Sequence, residues 1–553
     1  MCRLWVRQPA VDIREGNEPN DPSHIIFLKH LLIQHSTAMY GLLFGAVAIT
    51  FGIILTLGKW TFDYFKDPKG LRRFPNFAPF AGITNIPYML LSHANFRSQA
   101  LYEQHAQGVP IIRTGPNSVS VSDMRGIKDI YGHASKCTKD ANYVVQAGTH
   151  YHLADVVDKP EHARKRKVLS SAYAIKNLED WEFKVADKVE RMIAQFDKRC
   201  STKEQDIVID YRPWTNYFTI DAIADIGLTH RMNFLDNASA QTTSMRPDGS
   251  LHQVDFRDCL YANSKATSVL SYSYDWFQRL TKLSKLHPYF NKLWKLNEGW
   301  DGIPRHLAAE RWKRYAAGEK LDDFFEALMQ DRNGAQHKLE WGEIVAEITI
   351  MLNAGSTTTA ISMANVMYQL LKHPESMAKV VREIDEALEG QDEAVVAAPY
   401  ETVKHLPYLR ACLDESLRLF PPISHGLTRA TPAEGCLVAG EFIAGDTTVA
   451  VSAYIAHRDP RVFPDPQAFK PERWLGEQGK ELGPYFIAFS AGARGCIGRN
   501  IAYLEQTVLL ASMLRRYEFG FAREGFEPGR FEWQNLHLSE LPVRIRRRGE
   551  VGL

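Results

Sequence analysis

The sequence predicts a mainly α-helical fold with small β-sheets, carried behind a single N-terminal transmembrane helix. Three observations lead there. Residues 31–58 contain no Lys, Arg, Asp or Glu, and the apolar stretch 37–57 (TAMYGLLFGAVAITFGIILTL) matches the roughly 20 residues a helix needs to cross a hydrocarbon core. Residues 180–200, 343–372 and 500–516 place apolar side chains three and four apart, the repeat of one helix face. The β-rich pieces, near 109–121 and 447–454, are short.

Composition narrows the class. A chain of 553 residues with 45% hydrophobic and 11% aromatic residues is globular rather than disordered. Lys+Arg 66 against Asp+Glu 65 leaves a net charge of +1, so no overall field draws nucleic acid. The seven cysteines (2, 137, 200, 259, 412, 436, 496) form no CxxC pair, which argues against a zinc finger or a disulfide scaffold and suits a reducing compartment.

Along the chain, a mixed-charge leader (1–36) precedes the anchor (37–57), and no small-residue cleavage site follows it, so the apolar stretch reads as a retained span rather than a signal peptide. Residues 1–30 balance to zero, whereas Lys59, Lys66, Lys69, Arg72 and Arg73 outweigh Asp63 and Asp67. Positive-inside therefore places the large C-terminal part in the cytosol. Residues 58–85 contain DPKGLRRFPNFAPFAG and read as a stiff Pro/Gly-containing connector to a domain at 86–553. Residues 236–250 are polar and turn-rich, predicting a surface loop; the sequon at Asn237 would be silent on a cytosolic face. The basic tail Arg544-Ile-Arg-Arg-Arg548 reads as an edge strand.

The sharpest chemical signal is Phe489-x-x-Gly492-x-Arg494-x-Cys496-x-Gly498, followed at once by an apolar-periodic helix. Glycines let the chain turn tightly around the cysteine, which then sits at a helix N-terminus. Free amides and the dipole there favour a thiolate, the form that ligates a metal. A second motif, Glu415-Ser-Leu-Arg418, puts two opposite charges on one helix face before Pro421-Pro422 ends the helix, and Arg473 of Phe-Lys-Pro-Glu-Arg-Trp lies 55 residues beyond Arg418. The third is Ala354-Gly355-Ser356-Thr357-Thr358-Thr359, in the middle of a long helix. A glycine there costs up to about 1 kcal/mol relative to alanine and signals close approach or a kink. A hydroxyl beside it can relay protons, or can simply bond back to its own helix. The fourth is the basic run His162-Ala-Arg164-Lys165-Arg166-Lys167.

These motifs, in this order over residues 70–545, resemble the cytochrome P450 family closely, in its membrane-anchored, fungal microsomal form. The resemblance implies one large helical domain with small sheets, the cytochrome P450 fold, and haem b as cofactor. It implies Cys496 as the iron ligand, the thiolate pushing electron density toward O–O cleavage. Phe489 and Gly498 belong to the same haem loop, and Glu415, Arg418 and Arg473 form a structural triad. Gly355 and Thr358 match the oxygen groove and proton relay. Thr357 departs from the pattern, since the family commonly has Asp or Glu there. His162, where the family often has Trp, and Arg166, Arg429 and Arg494 correspond to haem-propionate positions. Arg164, Lys165, Lys167 and Arg499 form a basic docking face for an acidic reductase.

The activity so implied is insertion of one oxygen atom from O2 into a small apolar or aromatic substrate, in secondary-metabolite biosynthesis. No flavin region is present, so electrons come from a separate NADPH–cytochrome P450 reductase. The location is the endoplasmic reticulum membrane, single-pass, with the catalytic domain cytosolic. By resemblance the stretches 142–156, 348–353 and 423–427 line the pocket, with Asn353, Ser424 and His425 as polar handles. Benzoate para-hydroxylases and small-phenol hydroxylases look nearest. The alternatives are a tailoring enzyme for a larger terpenoid or polyketide, a haem-thiolate isomerase or dehydratase that uses no external O2, and a non-catalytic haem protein.

Overall fold

The computed structural model describes residues 22–94, 96–170, 172–200, 206–331, 333–392 and 395–549. The leader's charges before Pro22, and Cys2, lie outside them. The chain divides into two compact units, one ending at Pro68 and the other beginning at Lys69.

The first unit is the helix α1, Pro22–Lys66. It exceeds the anchor read from the sequence at both ends, so residues 22–36 and 58–66 are helical rather than leader and connector. Nothing between Pro22 and Lys66 breaks a helix, and adding a residue to an existing helix is far easier than starting a new one. Proline at the first position is tolerated because its missing N–H would be unpaired there anyway. The helix stops where Pro68 disfavours α geometry at Asp67, which turns left-handed (φ 46°). Within Leu43–Lys66 an 18-residue window has mean hydropathy 1.7 and none of it is buried, so this part of the helix is long and apolar enough to cross a membrane.

The second unit starts sooner than expected. Residues 69–82 are not a free spacer: Leu71 and Ala81 are buried, and Asn76 bridges in parallel to Arg113. Pro75 O accepts from Arg113 N at 2.8 Å and Phe77 N donates to Arg113 O at 3.0 Å, so the Pro-rich segment extends a sheet edge.

Helices carry this unit: α2 (Lys159–Ser170), α3 (Glu182–Arg199), α4 (Tyr211–Leu228), α5 (Phe256–Leu270), α6 (Pro288–Ala316), α7 (Trp341–Lys372), α8 (Pro407–Leu419) and α9 (Arg499–Arg516). In α3, Val185, Val189, Met192, Ile193 and Phe196 make one buried stripe, as their spacing requires. The 32-residue α7 packs on α4, α6, α8 and α9 at the centre of the main core. It is apolar enough to resemble a membrane span, but it is mostly buried and is a core helix.

A second core lies under a five-stranded sheet, ordered Ile111–Gly115, Ser118–Val121, Thr448–Val451, Arg429–Ala430, Thr138–Lys139. Both β-rich pieces read from the sequence are in it. The tail strand Pro542–Arg547 pairs with Tyr517–Phe521 on one side and Ile207–Asp210 on the other, so it is central to its sheet and not an edge.

The expected loop at 236–250 is instead partly a hairpin strand. Gln241–Met245 pairs antiparallel with Leu251–Asp255 and lies on α6. Ser244 is fully buried and its Oγ donates to Gly299 O at 2.9 Å. A Cβ at Gly302 would lie 2.2 Å from Ser244 Oγ, so this close approach depends on glycine in α6.

Candidate active site

A cavity of about 370 Å³ lies between α2, α7, the turn after α8 and the loop before α9. Cys496, Phe489, Gly498, Arg494, Arg429, His162, Arg166, Gly355 and Thr358 all line it. Residues as far apart in sequence as 162 and 498 therefore meet on one surface.

The cysteine loop is built by backbone. Cys496 N donates to Phe489 O at 2.9 Å and Gly495 N to Gly492 O at 3.0 Å. Gly492 has φ +64°, and a Cβ there would lie 2.0 Å from Tyr131 O, so only glycine fits. Gly498 caps α9, and its Cβ position is 3.9 Å from Cys496 Sγ. The sequence reading expected a helix N-terminus to favour the thiolate. In the polypeptide alone burial dominates and pushes the Cys496 thiol up, opposed by the Gly498 N–H and the charges of Arg166 and Arg499. A coordinating cation overrides that balance, because metal binding deprotonates a thiol outright.

Around the same cavity stand cations without carboxylate partners. Arg166 donates to Gly495 O at 2.7 Å; Arg494 donates to Val156 O at 2.7 Å and Val157 O at 3.0 Å; Arg429 donates to Thr428 O at 2.9 Å. Among the described residues none of the three forms an ion pair. Burial, then the neighbouring Arg494, Lys139, Arg166 and Arg429, push His162 down to about 4, so it is a neutral donor.

Sequence reading missed Lys139. Its strand registers Lys139 directly opposite Arg429, its ammonium bonds Ala154 O, and burial with Arg429 and Arg494 lowers it to about 7. Like charges directly opposite in a ladder are destabilising unless an anion lies between them. No local pattern marks this lysine; only its pairing with a strand some 290 residues away does.

This donor set fits haem: one cavity-facing thiol for iron, and an uncompensated cation cluster for two carboxylates. The cavity's remaining wall is mostly apolar.

On α7, Thr358 Oγ donates to Ala354 O at 2.8 Å, the back-bonded arrangement. Gly355 is where α4 comes close: a Cβ there would lie 2.5 Å from Ile223 Cγ1, and α7 runs on as one continuous helix. Thr357 does not face the cavity. It is 2% exposed and its hydroxyl has no hydrogen-bond partner among the described residues.

Two pocket expectations need correction. Tyr143, Leu153 and Ala154, then Ile348, Ile350 and Met351, then Ile423, His425 and Leu427 reach the cavity. Asn353 does not, and Ser424 turns away to donate to Glu532 Oε1 at 2.8 Å. The cavity's one carboxylate among the described residues is Glu347, which sequence reading also missed. It is paired with Lys165 at 3.1 Å and accepts from Leu153 N at 3.2 Å.

The basic docking face shrinks accordingly. Lys165 is buried between Glu343 (2.6 Å) and Glu347, and Arg164 pairs with Glu161 (2.7 Å) and Glu343. Lys167 and Arg499 remain exposed.

Behind the site, Glu415 accepts from Arg418 Nε and Nη2 at 2.8 Å each, Arg473 Nε at 3.0 Å and Trp474 Nε1 at 2.9 Å. It is off the cavity and fully enclosed.

Comparison with known proteins agrees with this geometry. The cytochrome P450 family profile matches residues 85–546. The cytochrome P450 monooxygenase atr2 of Stereocaulon alpinum is 28% identical over 487 residues, covering 87% of this chain and 91% of that protein. A benzoate 4-monooxygenase of Aspergillus niger is 28% identical over 505 residues, covering 88% and 95%. The crystal structure of a cytochrome P450, matched over 83% of this chain and 96% of that one, superposes with a TM-score of 0.65 at 22% identity, a likeness of fold. With one thiol and a helix-borne threonine lining a mostly apolar cavity, and the family profile spanning most of its length, the chain belongs to the cytochrome P450 family and is a monooxygenase.

Proposed function

We propose that this monooxygenase hydroxylates a small apolar or aromatic substrate in fungal secondary metabolism, drawing electrons from a separate NADPH–cytochrome P450 reductase. The observation that carries the reading is that Cys496 and Thr358 line one mostly apolar cavity. The naming of a fungal relative as a benzoate 4-monooxygenase supports the aromatic substrate class.

Haem bound through Cys496 supplies the reductive activation of O2. Arg166, Arg429, Arg494 and Lys139 would hold its two carboxylates, and His162 would donate one neutral hydrogen bond to them. Phe489 and Gly498 shape the loop that presents the sulfur. Thr358 accepts a hydrogen bond from cavity water through its lone pairs, since its own hydrogen is directed at Ala354 O. Rotation about its Cβ–Oγ bond would turn that hydrogen into the cavity, so that the hydroxyl gives its own proton as it takes one from the water. α1 anchors the enzyme in the endoplasmic reticulum membrane with the second unit cytosolic.

The test is reconstitution of the full-length haem protein with reductase, NADPH and ¹⁸O2. One labelled oxygen per product supports the reading. Turnover that persists without NADPH and reductase would replace it with an isomerase or dehydratase. The red-shifted Soret band of a thiolate-bound ferrous–CO complex should vanish in Cys496→Ser, and its persistence would remove Cys496 from the iron.

A further inference from the structure

Behind one wall of the cavity lies a buried polar cluster that none of the roles above uses. Arg97 and Glu532 face each other with no solvent exposure, Nε to Oε1 at 3.6 Å. Glu532 is closed on its other sides: Ser98 N donates to Oε2 at 2.8 Å, and Ser98 Oγ (2.6 Å) and Ser424 Oγ (2.8 Å) donate to Oε1. Arg97 also donates to Trp533 O at 2.8 Å.

His425 stands between this cluster and the cavity. Its side chain is 12% exposed, its Nδ1 is 3.8 Å from Glu532 Oε1, and that nitrogen has no hydrogen-bond partner among the described residues. The ring itself lines the cavity. Burial and the Arg97 charge hold the imidazole well below its ordinary pKa, so it is neutral and carries a single N–H. Glu532 Oε1 is beyond hydrogen-bond reach of Nδ1 at 3.8 Å, but its negative charge favours the tautomer that carries the hydrogen there. In that tautomer Nε2 is the bare acceptor, on a residue that lines the cavity together with Ile423, Leu427, Ile348 and Met351.

We propose that His425 is a specificity-determining residue whose Nε2 accepts a hydrogen bond from a substrate hydroxyl, so that the site prefers an apolar skeleton bearing a phenol or alcohol over the same skeleton as hydrocarbon, ether or carboxylate. A hydrocarbon or ether leaves Nε2 desolvated without a donor. A carboxylate sets its charge against the nitrogen lone pair with Glu532 behind it. The inference rests on the proposed reaction in this cavity and sharpens its substrate class.

Binding difference spectra of the full-length haem protein test it with four probes of one shape: m-cresol, 3-methylanisole, m-xylene and m-toluate. A hydrogen bond to a buried acceptor corresponds to a preference of about tenfold for m-cresol over each of the others. His425→Phe should bring the four to within about twofold, with m-xylene bound no more weakly, while His425→Gln, which keeps an acceptor, retains part of the preference. Equal binding of m-cresol and m-xylene by the wild type, tighter binding of m-toluate, or an undiminished preference in His425→Phe overturns the proposal. The wild-type ratios stand even if His425→Phe fails to hold haem. Silence toward all four probes overturns the small-aromatic reading instead. Farnesol and farnesene then make the same hydroxyl contrast at larger size, where the absence of an alcohol preference, or of any response, overturns the role of His425.

Discussion

Two groups of arginines lie within the same domain and end differently. Arg418 and Arg473 converge on Glu415, and Arg418 fills its remaining donors with the carbonyls of His457, Pro466 and Ala468. Arg166, Arg429 and Arg494 surround the cavity and find only carbonyls, with Lys139 adding a fourth charge opposite Arg429. The first group is complete without any ligand. The second is balanced only when a molecule brings negative charge with it. Completed charge holds the fold, whereas surplus charge beside a cavity marks what the fold binds.

That contrast predicts two kinds of failure. Glu415→Gln leaves two desolvated guanidiniums facing a neutral amide and should cost about 3–5 kcal/mol of stability, read by thermal unfolding of the full-length protein with or without haem. Arg429→Gln should behave in the opposite way. Polypeptide stability changes by under about 1 kcal/mol, because a buried unpaired charge has been removed, while one charged hydrogen bond to the ligand is lost. Haem should then leave about 10- to 100-fold faster, measured by transfer to apomyoglobin. If Arg429→Gln unfolds the protein as readily as Glu415→Gln, the contrast between the clusters collapses.

Lys139→Met sharpens the same distinction at smaller scale. Its removal relieves repulsion with Arg429 across the ladder, so the haem-free chain should gain up to about 1 kcal/mol while haem loss quickens only several-fold. A slower haem loss in Lys139→Met would exclude it from the carboxylate site.

How far the sequence disclosed these arrangements follows from the range of the interactions. The cysteine loop, the Glu415–Arg418 pair and the central helix α7 were legible because backbone turns and helix faces write their requirements within ten or so residues. Lys165 was read as a docking charge because its partners, Glu343 and Glu347, lie about 180 residues downstream. Ser424 was read as a pocket handle for the same reason, since Glu532 is 108 residues away. The hairpin strand Gln241–Met245 was hidden by its polar composition. Its burial rests on Gly302 of α6, not on alternating apolar side chains of its own. α1 runs beyond the apolar stretch 37–57 at both ends because hydropathy reports the part a membrane can hold, while helix ends depend on breakers.

The smallest expected effect separates an unpaired polar atom from a site. Thr357 stands where the family commonly carries an acid, and its hydroxyl lacks a partner among the described residues, as the cavity cations lack carboxylates. It differs from them in facing no cavity. Replacing an unpartnered buried hydroxyl by a methyl removes a desolvation cost and no bond, so Thr357→Val should be neutral or stabilising by up to about 1 kcal/mol. It should also leave product formed per NADPH unchanged. Thr358→Val, one residue on and lining the cavity, should lower that ratio and divert reducing equivalents to hydrogen peroxide. Loss of coupling in Thr357→Val would show that its hydroxyl reaches the reacting oxygen during turnover, and cavity access in the resting fold would then no longer separate a working polar group from a packing defect.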